Sequence, residues 1–153
     1  MKTALIGIGL PGSGKSTVLK QLAVLCGAAY ICPDDIREEL TGDAADQSRN
    51  GDVWIETYRR IHAELDNGNS VIVDATNAKA RDRLNLLRHC DKKAEQIIGL
   101  WFVTPYQICQ ERNLARDRVV PITAMERMAC WLYEDPPSLD EGFDELCLID
   151  TSD

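Results

Sequence analysis

Five short apolar runs recur along the chain, and amphipathic stretches fill the gaps between them. The runs are Ala4–Ile8, Ala28–Cys32, Ser70–Asp74, Ile97–Thr104 and Leu146–Asp150. Each is rich in Ile, Val and Leu without strict alternation, the pattern of strands covered on both faces. Helical periodicity predicts helices near 15–26, 35–40, 52–67, 79–93, 105–116 and 122–134. Gly27 and Gly68 stand where left-handed C-cap residues are wanted. Strands alternating with helices imply βαβ units, hence an α/β, three-layer fold with a parallel sheet between helices.

Two segments fall outside that alternation. Thr41–Asp52 is polar and contains glycine, so a mobile loop is expected there. Glu134–Phe143 reads as a proline-containing connector into the last strand. No repeat breaks residues 1–153, and a chain of this length fits one domain.

Charge changes the picture once it is placed. The net charge is −8, yet residues 1–133 hold all 17 Lys and Arg and 17 of the 25 acids. Glu134–Asp153 carries the other eight acids and no base, so the acidity belongs to the tail. Residues 79–93 carry six bases against two acids. Without a long basic run, extended phosphate tracking along a nucleic acid is not expected, whereas a short or small anionic substrate fits. The six cysteines show no C-x-x-C and no metal-ligand spacing, which predicts reduced, mostly core thiols and a cytoplasmic protein. The apolar start T-A-L-I-G-I-G-L breaks at Pro11-Gly12, as a buried strand would and a signal peptide would not. No stretch has the length of a membrane span.

The chemistry begins at Gly9–Ser16, G-L-P-G-S-G-K-S, a full match to G-x-x-x-x-G-K-[ST] between a strand and a helix. Its glycines let successive N–H groups point at phosphate oxygens, and the helix N-terminus adds positive potential. Gly9, Pro11, Gly12, Ser13, Gly14 and Thr17 shape this cradle for ATP. Lys15 reaches the β- and γ-phosphates, and the Ser16 hydroxyl is a ligand for Mg²⁺. Thr76-Asn77-Ala78-Lys79 is no N/T-K-x-D guanine reader. Asp74 ends the third strand, where it either orients Mg²⁺ or the acceptor, or caps the next turn.

The stretch C-P-D-D-I-R-E-E-L, residues 32–40, places two carboxylates on the same sheet edge. Asp35 is expected to cap a helix starting near Ile36, with Glu38 closing the capping box. Asp34 is then left as a general base for an attacking hydroxyl. Arg37 either forks onto an acceptor phosphate or is an exposed charge paired with a nearby acid. Arg112, Arg116 and Arg118 cluster before Pro121. Cations at a helix C-terminus are one explanation; a lid over about 112–127, spreading positive charge over the moving phosphoryl group, is the other.

Taken in order, G-L-P-G-S-G-K-S-T, D-D-I-R, D-A-T-N and R-N-x-x-R-x-R-x-V-P resemble the P-loop kinases of the polynucleotide 5′-hydroxyl kinase family. The resemblance implies a P-loop kinase core with strand order 2-3-1-4-5 and a helical lid. It also implies Asp34 as base, Arg37 on the acceptor's phosphate, Arg116 on the donor phosphates, and Thr76, with Asn77 beside it, positioning the acceptor. Cys32-Pro33 replaces the family's Asn-Arg, and Ala75 replaces the acid before Thr-Asn. D-A-T-N also resembles small kinases of unassigned acceptor. The expected partner is therefore a hydroxyl-bearing acceptor, first the 5′-OH of a polynucleotide or nucleotide. A metabolite, sugar or antibiotic acceptor and a non-catalytic nucleotide switch are the alternatives.

Overall fold

A computed structural model describes residues 1–153. Its five strands are β1 (Thr3–Ile8), β2 (Ala29–Ile31), β3 (Val71–Val73), β4 (Gln96–Phe102) and β5 (Glu145–Ile149). All pairings are parallel and the order is β2-β3-β1-β4-β5, as the family resemblance implies. The helices are α1 (Lys15–Cys26), α2 (Pro33–Thr41), α3 (Asn50–Asp66), α4 (Ala80–Asp91), α5 (Tyr106–Leu114) and α6 (Ile122–Glu134). No helix is long and apolar enough to cross a membrane.

Side chains of β1 and β3 alternate between two apolar clusters, which explains their unbroken hydrophobicity. Ala4, Ile6, Ile8, Val71 and Val73 join the larger cluster, with Ile36, Ile61, Leu65 and Leu86 from α2, α3 and α4. Ile72 turns the other way, onto Leu19 and Ala23 of α1. A parallel sheet gathers its loops at one edge. The loops after β1, β2, β3 and β4, and the residues after β5, all meet there.

Three expectations change. Helix α2 begins at Pro33, with Cys32 as an extended N-cap that makes no side-chain bond. Proline at the first helical position has the right φ and needs no N–H partner, so the helix starts earlier than predicted. Asp35 is therefore not a cap; it lies inside the first turn, where burial pushes its carboxyl up despite nearby Lys20. The polar stretch is shorter than Thr41–Asp52, because Thr41 ends α2 and Asn50 opens α3. Its turns are tied down by Asp43 Oδ1 accepting from Ala45 N–H (2.9 Å), Asp46 Oδ1 from Ser48 N–H (2.8 Å), and Leu40 O from Arg49 (3.1 Å). All six cysteines are free, but only Cys90 and Cys109 are buried, while Cys26, Cys130 and Cys147 are exposed. The acidic tail is partly structural: Glu141 pairs with Arg83, and Asp144 accepts from Ile97 N–H at 2.7 Å.

On the α3–α4 face, His89 stacks on Tyr58 at 3.7 Å and meets His62 Nε2 through Nδ1 at 3.1 Å. Burial, then the charge of His62, lowers the pKa of His89 below its ordinary value. The unfolded chain thus binds this proton more tightly, so stability present above about pH 6.5 falls as the solution is acidified. Thermal melts between pH 7.5 and 5.5 should show a falling Tm, with a flatter slope in His89→Gln. An unchanged slope in that variant would rule the pair out.

Candidate active site

The phosphate loop is built by close approaches that only glycine allows. Gly12 and Gly14 have φ of 82° and 90°. A Cβ on Gly12 would lie 2.3 Å from Cys109 O, and one on Gly14 would lie 2.5 Å from Thr151 Oγ1. Gly9 N–H donates to Thr76 O at 3.0 Å, joining the loop to the segment after β3. Pro11 and Ser13 are buried behind the loop. Ser13 O accepts from Thr104 Oγ1 (2.9 Å) and Thr151 Oγ1 (2.6 Å), so the ends of β4 and β5 brace the loop from below. Arg112 adds a third strut, donating to Gly12 O (3.3 Å), Thr151 Oγ1 (2.7 Å) and Thr151 O (2.5 Å). No side chain caps α1. Its first N–H groups are therefore left to a ligand, at the positive end of the helix.

Two cavities meet at Lys15, Ser16 and Arg116. One, of about 250 Å³, runs over Gly12, Gly14, Thr17 and Arg112. The other, of about 280 Å³, is walled by Asp34, Arg37, Asp74, Thr76 and Asn77, with Trp54, Met128 and Trp131 as its apolar part. Lys79 Nζ lies 4.2 Å above the Trp131 ring in this wall. All the predicted site residues except Gly9, Pro11 and Ser13 line one cavity or the other, and those three form the loop's buried underside.

Asp34 stands between two arginines. Its Oδ1 accepts from Arg37 Nη1 at 2.5 Å, and its Oδ2 from Arg118 Nη2 at 2.8 Å. Arg37 is not the exposed charge that was one expectation. Its side chain is 6% exposed, its Nη2 donates to Asn50 Oδ1 at 2.8 Å, and its Nε has no partner. Arg118 reaches Asp34 from the segment between α5 and α6, which Asn113 clasps through two bonds to the Val120 backbone (2.8 and 3.0 Å). The three clustered arginines thus differ in employment: Arg112 braces the phosphate loop, Arg118 crosses to Asp34, and the Arg116 side chain is unpaired where the cavities join.

Asp74 is 2% exposed and caps nothing. Its Oδ2 accepts from Ser16 Oγ at 2.6 Å and from the Tyr30 hydroxyl, while Oδ1 lies 3.5 Å from Lys15 Nζ without a hydrogen bond. Asn77 adopts a left-handed φ of 49°, and its Nδ2 donates to Gly7 O at 2.8 Å, pinning the loop to β1. Its Oδ1 is buried without a partner.

The pattern of residues did not single out Tyr30, Asn50, Thr104 or Thr151. A hydroxyl residue at the carboxyl edge of each of β4 and β5 was a usable signal for the last two. Tyr30 reads as one more apolar strand residue, and only its position beside Asp74 distinguishes it.

A family model described as an AAA domain matches residues 5–134. The chain belongs to this family. Among curated relatives of this AAA domain, the cytidylate kinase of Methanocaldococcus jannaschii is 23% identical over 145 residues, spanning 95% of this chain and 79% of that protein. The L-seryl-tRNA(Sec) kinase of Methanococcus maripaludis is 27% identical over 132 residues, 78% of this chain and 48% of that one. A chain in the structure of the Pnkp1/Rnl/Hen1 RNA repair complex superposes with a TM-score of 0.80 at 24% identity, covering 94% of this chain and 46% of that one. The AAA domain thus spans about half the length of the last two, and the third likeness is one of fold.

Proposed function

We propose that residues 1–153 are one kinase domain, with a lid over about 112–127, that moves the γ-phosphate of ATP to an acceptor hydroxyl. The preferred acceptor is the 5′-OH of a polynucleotide or nucleotide. The observation that carries the reading is a single cavity holding Lys15 and Ser16 of the phosphate loop, together with Asp34 in the grip of two guanidinium groups. A nucleotide switch without turnover has no use for such a carboxylate.

In this reading the loop and the α1 N-terminus hold the donor phosphates, with Lys15 on the β- and γ-groups. Asp34 takes the acceptor's proton as its oxygen bonds to the γ-phosphorus and the bond to the β,γ-bridging oxygen breaks, leaving ADP. Arg118 occupies Asp34 Oδ2, so the incoming hydroxyl displaces it from that oxygen. Arg116 meets the charge that spreads over the phosphoryl oxygens. The Arg37 fork keeps Asp34 and Asn50 in place on the wall that faces the acceptor's phosphate. Thr76 and Asn77, on the wall of the same cavity, offer further polar contacts to the acceptor.

The residues present fit Mg²⁺. Ser16 supplies a hydroxyl and Asp74 a buried carboxylate with one oxygen lacking a donor, and a magnesium site leaves its other positions to phosphates and water. When bound, the ion neutralises β- and γ-phosphate charge.

The names of the relatives support a nucleotide or RNA acceptor: a cytidylate kinase, a seryl-tRNA kinase and an RNA repair complex. A cavity of about 280 Å³ with two tryptophans is also sized for one ring, which favours a sugar-like metabolite as the second reading. Transfer of label from γ-labelled ATP should be screened across 5′-OH DNA, 5′-OH RNA, nucleosides and sugars. Labelled oligonucleotide 5′-ends are the expected result. Label on sugars alone would shift the acceptor to the second reading, and acceptor-independent ATP hydrolysis alone would overturn the kinase.

A further inference from the structure

We propose that Tyr30 is a positioning residue for the cation side of this site: its hydroxyl and that of Ser16 hold one oxygen of Asp74, fixing the carboxylate behind the Ser16 ligand. The inference rests on the phosphate-transfer reading and adds a residue to it. Tyr30 lies on β2, paired with Ile72 of β3, and its side chain reaches two residues along β3 to Asp74. Asp74 N–H donates to Ile31 O at 2.9 Å, so the backbone beside Tyr30 also fixes the base of the carboxylate.

The arrangement is unusual in what it omits. Asp74 is 2% exposed, yet no arginine pairs with it; two neutral hydroxyls share Oδ2, and Lys15 stands 3.5 Å from Oδ1. A guanidinium would have spent the negative charge on an internal ion pair. Hydroxyl donors orient the carboxylate and leave that charge for Lys15 and a bound cation. Ser16 depends on the result. With its proton held on Asp74, the hydroxyl turns its lone pairs away from the carboxylate, toward the position of a cation. Loss of the Tyr30 donor lets the carboxylate turn about χ2 and releases the Ser16 proton from that direction.

The test is Mn²⁺ binding to the whole chain with ADP present, read from the electron paramagnetic resonance signal of free Mn²⁺. Tyr30→Phe should weaken Mn²⁺ about tenfold, the size of other outer-shell losses, with metal-free ADP affinity unchanged and a cooperative melt retained. In an Asp74→Asn background the same substitution should add nothing. Unchanged Mn²⁺ affinity in Tyr30→Phe, or additive losses in the double variant, would overturn the assignment while leaving the kinase reading intact. Failure of the unaltered chain to take up Mn²⁺ with ADP would instead bring down the transfer site as a whole, and Tyr30 with it.

Discussion

Asp34→Asn should lower the rate of phosphoryl transfer about 10³-fold while ADP binds as before. Asparagine keeps the shape and one acceptor oxygen, so Arg37 retains a hydrogen bond and Asn50 beside it. The amide lacks the basic oxygen that the proposed reaction assigns to the acceptor's proton, and its NH₂ confronts whichever guanidinium it faces. The donor cavity, formed by Gly12, Gly14, Lys15 and Thr17, has no contact with this change. Single-turnover transfer from γ-labelled ATP, together with calorimetric ADP binding, separates the two effects. Turnover within tenfold of the unaltered protein would remove Asp34 from the chemistry.

The largest effect on stability should come from Arg83→Met. Arg83 is fully buried, and its guanidinium binds Glu141 Oε2 at 2.8 Å and Oε1 at 2.7 Å. It also donates to Asn77 O (3.1 Å), Ala78 O (3.0 Å) and Asp135 O (2.7 Å). Removing one member of such a group strands the Glu141 carboxylate and three carbonyls, at a cost of about 3–5 kcal/mol. For a chain of this size Tm should fall by on the order of 10 °C. Scanning calorimetry measures it, and a fall under about 3 °C would mean that water replaces the guanidinium freely. Adding Glu141→Leu should recover part of the loss, because the charge left unpaired is then gone.

Arg83 also marks where reading the sequence stopped working. Periodicity located all five strands and six helices, because burial on both faces of β1 and β3 leaves an unmistakable apolar run. The phosphate loop was legible for a different reason: its backbone conformation demands glycines at Gly12 and Gly14 whatever surrounds them. Arg83, by contrast, looks like one more cation in a basic stretch, and its burial depends on Glu141, far along the chain. Asp35 was misread because the capping box competes with proline at the first helical position, and proline won. Arg112 and Arg118 are neighbours in the sequence but have separate duties, which only Thr151 and Asp34, brought in from distant segments, assign. Tyr30 left no trace in the pattern, since a buried strand accepts tyrosine for its ring as readily as for its hydroxyl.

The struts beneath the phosphate loop have a consequence for biosynthesis. Ser13 is made before Thr151, yet the hydroxyl of Thr151 secures its carbonyl. On the ribosome, β1 and α1 emerge before β5, so the loop waits for its brace until Thr151 follows. Nucleotide can stabilise only the state that binds it, which makes it a ligand of the braced loop rather than the template on which the chain folds. The earliest-made portion of the catalytic centre is the last to be completed.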